Sequence, residues 1–471
     1  SPLNVTTRIE RDTMGEMEVP AEALYGASTQ RAVLNFPVSG TGFSRPMIRA
    51  MGLVKWAAAV TNAELDLLDP GQAEAIAGAA QEVIDGVLDA HFVVDVYQTG
   101  SGTSTNMNAN EVIANRCSQH AGKPIGSRDP VHPNDHVNMG QSSNDVIPTA
   151  IHIAVAESLR NNLAPALIAL HSSLAAKAAA FHPVIKIGRT HLMDATPVRL
   201  GQVFGGYARQ LELSVSRTHK AINALLELPL GGTAVGTGIN CHPQFARLAI
   251  EHIAEKTNID FREAADHFEA QAAKDGLVEA SGQLKTIAVS LFKVANDIRW
   301  LSSGPRCGIG EIQLPATQPG SSIMPGKVNP VMAESLMQVA ARVVGNDAAV
   351  AWAGANGNFE LNVMMPVMAH SLLESIRLMS AAVSLFQNRC VEGIQANAER
   401  CEGLIELSMS MVTSLAPLIG YDRAAAIAKE SVSTGKTVRQ ICVEQQVLPP
   451  DRLAAALDPV SMTAPGIDPI S

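Results

Sequence analysis

The sequence predicts an all-α, mainly helical fold built around a central long-helix bundle, and three observations carry that reading. Hydrophobic residues make up 46% of the 471 residues and aromatics only 4%, with alanine frequent throughout, a balance that favours closely packed helices over a sheet sandwich. Apolar and small residues recur at alternating steps of three and four. Phe204, Tyr207, Leu211, Ser214, Thr218, Ala221, Leu225 and Leu228 form one such seam, Leu284, Ile287, Leu291, Val294, Ile298 and Leu301 a second, and Leu372, Ile376, Met379, Val383 and Phe386 a third. Seams of this spacing suit helices packed nearly parallel or antiparallel. Several helices are also apolar beyond one stripe, as at Ile287-Ala288-Val289 and Val339-Ala340-Ala341. Such a helix must be covered on every side, by its own bundle or by another subunit, so the sequence predicts an obligate oligomer.

Taken in order, the chain divides into an N-terminal domain over 1–140, the bundle domain over 141–395 and a small C-terminal helical domain over 396–471. The first part mixes short turns (Met14-Gly15-Glu16, Gly40-Thr41-Gly42) with amphipathic stretches over 47–66 and 72–90. Residues 97–116 change from a Gly/Ser/Thr loop into a helix carrying Asn106, Asn108 and Asn110. Two dense polar clusters follow, His132 to Asn138 and Gln141 to Asp145, able either to cap helices or to hydrogen-bond a ligand. Lys186 to Asp194 joins two helices, and Gly231 to Gly238 is a packed turn, because its glycine spacing fits neither a dinucleotide fingerprint nor a phosphate loop. Near the C-terminus, helical pieces fall at 397–416 and 422–432. Thr434-Gly435-Lys436-Thr437 ends like a phosphate loop but has Glu430 where the upstream glycine would stand.

The formal charge of −10 excludes a general nucleic-acid or acidic-membrane binder, since no basic block offsets it, and an anionic substrate would need a local positive pocket. Six scattered cysteines without a CxxC pair fit reduced thiols and give no zinc or iron–sulfur pattern, so neither metal nor cofactor is expected. No run approaches eighteen uninterrupted apolar residues and the first residues lack a signal-peptide core, so the expectation is a cytoplasmic protein, or a mitochondrial-matrix one if a transit peptide preceded residue 1.

One loop stands out against the helices: Gly320-Ser321-Ser322-Ile323-Met324-Pro325-Gly326-Lys327-Val328-Asn329-Pro330, with a helical run beginning near Val331. Two glycines, two prolines and paired serines preclude helix or strand. The loop offers hydroxyls, a compact cation and a neutral amide, with glycines that admit close backbone approach, which together read as a holder for a small carboxylate. A serine here could act as a base if backbone N–H groups stabilise its alkoxide.

GSSIMPGKVNP resembles the signature of the fumarase/aspartase superfamily. The likeness to class II fumarases extends over nearly the whole chain, through RIERDTMGEMEVPAEALYGASTQRA, TGSGTSTNMNANE, IGRTHLMDATPV, GGTAVGTG, SGPRCGIGEIQLP and GANGNFELNV. The resemblance implies three domains, a bundle that joins three others in a homotetramer, and active sites assembled from three subunits. By matching motif, Ser321 resembles the catalytic serine, His191 the active-site histidine and Glu334 the carboxylate that partners it. Ser101, Gly102, Thr103, Ser142, Ser143, Asn144, Thr190, Ser322, Lys327, Val328 and Asn329 resemble the substrate-binding set. His132, Pro133, Asn134 and Asp135 resemble a secondary anion site, which family members often precede with basic residues where this chain has Arg128, Asp129 and Pro130.

The implied reaction is reversible hydration of fumarate to L-malate through a carbanion, with a small dicarboxylate as ligand, no metal or organic cofactor, and neither nucleic acid nor membrane as partner. The rival within the superfamily is aspartate ammonia-lyase, which tends to carry threonine where this chain has Ser143. A non-catalytic structural protein with the lyase fold is the rival from another class, opposed by the intact Ser321, His191, Lys327, Asn329 and Glu334.

Overall fold

The computed structural model describes residues 6–320, 323–324 and 327–466, so the expectations for Ser321 and Ser322 lie outside the described residues. A hairpin of β1 (Thr7–Asp12) and β2 (Gly15–Pro20) precedes α1 (Ala27–Asn35), α2 (Arg45–Glu64), α3 (Pro70–Asp85), α4 (Thr103–His120), α5 (Ser143–Ser158) and α6 (Ala164–Ala180). A second hairpin, β3 (Ile185–Thr190) and β4 (Met193–Arg199), leads into α7 (Leu200–Asn223), α8 (Phe245–Thr257), α9 (His267–Ala272) and α10 (Asp275–Leu301). After the signature loop come α11 (Val331–Gly354), α12 (Met365–Arg389), α13 (Ala398–Leu407), α14 (Ala416–Ile419), α15 (Tyr421–Thr434), α16 (Val438–Glu444) and α17 (Pro450–Ala456). The mainly helical expectation holds, and the sheets among the described residues are all two-stranded.

All three predicted seams are buried. Leu225 and Leu228 stay buried although α7 ends at Asn223, so the seam outlasts its helix by following the chain into an extended segment.

The chain forms two compact units, the first covering the described parts of Ser1–Pro165, Ser216–Ala288 and Val339–Ser380, the second those of Ala166–Val215, Val289–Gln338 and Ala381–Ser471. In the first unit α2 packs on α3, α5 and α8. Gly52 permits the α2–α3 approach, since a Cβ there would stand 2.9 Å from the Ile84 backbone nitrogen. Asp69 caps α3 by accepting from the Gly71 and Gln72 amides, and Gly86 at φ +89° ends it, the αL stop that glycine adopts without strain. The core includes Met47, Met51, Leu53 and Val54 of α2, Ile76 and Val83 of α3, and Val112 and Ile113 of α4, and in its midst sits Lys55, wholly buried.

The second unit has its own core, in which Ile185 of β3 packs with Ile405, Leu415, Ile427, Ile441, Leu453 and Leu457. Its C-terminal Gly435 caps α15 at φ +76°, and Thr437 forms a reciprocal cap with Gln440 on α16, so the Thr434–Thr437 stretch is a helix-to-helix turn. One helical run, Ser143–Ala180, is long and apolar enough by length and composition to cross a membrane. The N-terminal part of that run carries the buried Asp145 and Glu157, the latter paired with Arg49.

Candidate active site

In the first unit, two helix N-termini converge. Gly102 precedes α4 at φ +75°, where an added Cβ would meet Ile147 at 2.7 Å, so glycine alone admits both the conformation and the contact. The turn brings Ser101 and Thr103 together at 2.8 Å, and Thr103 Oγ1 shares a second hydrogen bond, 2.7 Å, with Ser143 Oγ in the first turn of α5. Three hydroxyls that each donate or accept thus line up at the positive ends of two helices, a setting that favours a carboxylate. Ser142 is committed differently. Its Oγ accepts from the Asn144 amide at 3.2 Å while Asp145 accepts from the Ser142 amide at 2.9 Å, a reciprocal cap, and Asn144 Nδ2 donates to the Ala234 carbonyl at 2.8 Å.

After His132 the chain forms a π-helical turn, Pro133–Val137. His132 caps it, its Nδ1 accepting from the Asn134 and Asp135 amides at 3.1 Å each, while Arg128 Nη1 lies 3.4 Å from His132 Nε2. Burial, then Arg128 and His136, hold the imidazole below its ordinary range despite Asp135. A cleft of about 380 Å³ alongside is lined by Asn134, Asp135, Asn138, Ser142, Thr233 and Asn240 among others.

In the second unit, the expected connector at 186–194 is a β-hairpin. Thr190 pairs with Met193 across a two-residue turn of His191 and Leu192, at φ +57° and +63°. Both turn residues adopt the left-handed region usually left to Gly or Asn, and they place His191 exposed at the hairpin tip. The base of the hairpin is anchored electrostatically. Arg189 Nη1 and, at 3.7 Å, Lys186 Nζ face the fully buried Glu311 carboxylate. A cavity of about 850 Å³ beside the hairpin is lined by Lys186, Arg189, Thr190, Tyr207, Lys293 and Trp300 among others, but by none of His191, Lys327, Asn329 or Glu334.

The signature loop closes at its neck. Asn329 Nδ2 donates to the Gly320 carbonyl at 3.0 Å, and a Cβ on Gly320 would collide with the Lys327 carbonyl oxygen at 1.3 Å. Lys327 and Val328 are exposed, α11 begins at Val331 as the sequence predicts, and Glu334 is exposed in its first turn. Among the described residues no hydrogen bond or ion pair within one chain joins His191 to Glu334.

Residues 15–345 match the family described as Lyase, and residues 411–464 match the Fumarase C C-terminus. A class II fumarate hydratase of Mycobacterium tuberculosis is 55% identical over 448 residues, covering 95% of this chain and 93% of the relative. That of Halobacterium salinarum is 54% identical, covering 98% of each. The chain belongs to the class II fumarate hydratase family. Among solved structures, recombinant class II fumarase from Schistosoma mansoni matches with a TM-score of 0.94 at 37% identity, over 97% of this chain and 99% of that one. A fumarate lyase:delta crystallin from Brucella melitensis, bound to cobalt, matches with the same TM-score at 45% identity, over 98% and 100%.

For this fumarate hydratase family member, sequence reasoning missed two buried titratable groups behind the α5 N-terminus. Asp145, wholly buried, accepts from the Ser142 amide through Oδ1 and from the Gly231 and Thr233 amides through Oδ2, at 2.9, 2.9 and 3.1 Å. Burial pushes its carboxyl up, opposed by those three donors and by Lys55. Burial draws Lys55 down to about 7, opposed by Asp145. The available signal was Lys55 itself, a charge at the fourth position after Met51 and three before Ala58, on the buried face of α2.

Proposed function

We propose that this lyase interconverts fumarate and L-malate by proton abstraction next to a carboxylate, in an active site shared between the subunits of a homotetramer. The observation that carries the reading is the chain of hydroxyls from Ser101 through Thr103 to Ser143 at two helix N-termini, in a member of the class II family. In the dehydration of malate, Ser321 takes the proton, and the charge spreads onto the neighbouring carboxylate. Lys327, Asn329 and loop N–H groups hold the resulting dianion through charge-assisted hydrogen bonds, a donor set in which one loss costs about 3 kcal/mol of barrier. Ser101, Gly102, Thr103, Ser142, Ser143 and Asn144 bind the substrate, with Thr190, Ser322 and Val328 completing the set.

His191 and Glu334 serve the second proton, on the departing hydroxide, directly or through water. Both are exposed, and among the described residues nothing joins them within one chain, which is consistent with the pair meeting across a subunit boundary. The three sequence stretches 101–144, 190–191 and 321–334 then come from three different subunits. Exposed apolar side chains on the long helices support such an assembly: Val289 and Trp300 on α10, Trp352 on α11 and Leu385 on α12. His132 to Asp135 forms a secondary anion site, and the three-part division at 140 and 395 and a cytoplasmic location belong to the same reading.

The test is ultraviolet absorbance of fumarate formed by purified protein from L-malate or from L-aspartate. The expected outcome is fumarate from malate alone, with a Ser321→Ala variant losing at least about a hundredfold in kcat, as loss of a proton-transferring group does. Fumarate from aspartate alone would replace the reading with an ammonia-lyase, and near-normal turnover of Ser321→Ala would remove the serine from its role.

A further inference from the structure

Lys55 stands where an apolar side chain would ordinarily go. Its neighbours on α2, Met51, Leu53 and Val54, are wholly buried, and so is Lys55. A buried ion is costly, and a well-packed apolar residue of similar volume commonly replaces one without loss of stability. Its amine is nevertheless held by two side-chain acceptors. Nζ donates to Asn138 Oδ1 at 3.1 Å and to Gln141 Oε1 at 2.9 Å. Asn138 Oδ1 also accepts from Asn106 Nδ2 of α4 at 3.2 Å, and Asn62 Nδ2 of α2 donates to the Met139 carbonyl, likewise at 3.2 Å. Gln141 Nε2 in turn donates to the Val137 and Met139 carbonyls at 3.0 and 3.1 Å.

The segment held from below by Lys55 is the one that Asp145 holds from its far end. The carboxylate ties the Ser142 amide to the Gly231 and Thr233 amides of the glycine turn. The whole stretch from the π-helical turn to the first turn of α5 is therefore fastened to α2, α4 and the glycine turn through two buried side chains, one a donor and one an acceptor.

We infer that Lys55 and Asp145 are a pair of positioning residues that lock Asn138–Asn144 onto the helical core, so that the His132–Asp135 turn and the Ser142–Asn144 cap move as one body. Both are wholly buried and bonded to protein groups, and neither is in the substrate-binding set. Their effect is on the placement of Ser143 and Asn144, and the inference rests on the reading of those two as substrate-binding. Misplacement of a binding group by a fraction of an ångström is read in the Michaelis constant before it is read in turnover, when the displaced groups bind ground state and transition state alike.

The experiment compares KM and kcat for fumarate hydration in Lys55→Met, Asp145→Asn, the double variant and Ser143→Ala, each checked for folding by its thermal transition. Both single variants should raise KM about tenfold with kcat within about threefold, and the double variant should be no worse than the worse single one, because residues acting through one element do not add. Gln141→Leu, on a half-buried residue, removes one Lys55 acceptor and leaves Asn138 Oδ1 as the other, and should raise KM about threefold even if the core variants fail to fold. If Ser143→Ala raises KM while folded Lys55→Met and Asp145→Asn do not, the positioning pair is overturned. If the core variants do not fold, an unchanged KM in Gln141→Leu overturns it. If Ser143→Ala itself leaves KM unchanged, it is the substrate-binding assignment that falls, and the inference with it.

Discussion

His152 shows how one side chain can set the acid limit of the fold. It lies inside the first unit, its Nδ1 bonded to the Leu225 carbonyl at 3.1 Å, and burial followed by the nearby Lys274 draws its pKa down to about 4. Between that value and the ordinary 6.5 the unfolded chain binds a proton that the folded one does not, so stability rises with pH through this window and is fully present above it. Falling from pH 7.5 to 5, the histidine alone should cost about 2 kcal/mol, seen as a lower urea midpoint, and His152→Gln should flatten that dependence. An equal slope in the variant would assign the acid sensitivity elsewhere. This residue was not legible in the sequence, since a histidine in an apolar helix carries no mark of which neighbours face it. A local motif names Ser101, Thr103 and Ser143, and the structure brings the three together, whereas Asp145 reads as one helix-capping candidate in the Gln141–Asp145 cluster. Its contacts to Gly231 and Thr233, more than eighty positions away, are a tertiary fact.

At the scale of elements, two glycines of the first unit make opposite predictions. Gly102 sits at φ +75° against Ile147, so Gly102→Ala meets both backbone strain and a collision and should destabilise by about 1–3 kcal/mol. Gly78, within α3 and with open space where its Cβ would go, should gain about 0.5–1 kcal/mol on becoming alanine. Thermal midpoints of the two variants moving the same way would refute the contrast. The bundle helices were legible because steps of three and four leave few alternatives. The β3–β4 hairpin was not, for two reasons visible in its residues. Its turn is His191-Leu192 in place of the Asn-Gly that marks a two-residue hairpin. Its strand pattern is also masked, because Lys186, which ought to alternate outward, is buried between Ile185 and Ile187 to face Glu311.

The whole molecule adds what no single chain displays. Trp352 is 76% exposed and Phe359 92% exposed, the latter held at φ +55° in the turn of GNFELNV. Large aromatic side chains left in water on ordered elements are costly, and burial against other subunits would recover about 25 cal/mol for each Å² of apolar surface. If those subunits also complete one another's active sites, inactive chains should rescue each other. His191→Asn and Ser321→Ala lie in different stretches and remove different proton-transfer groups, so each homomer should be inactive. Co-expressed and randomly assorted, they leave about one site in four with an unmodified histidine from one subunit and an unmodified serine from another, so the mixture should recover about a quarter of normal fumarate hydration. Mixing the two after separate assembly should recover none until the subunits exchange. A co-expressed mixture that stays inactive while forming mixed oligomers would mean that His191 and Ser321 of one site come from the same chain. The exposed positions of His191 and Glu334 would then require a different partner for each.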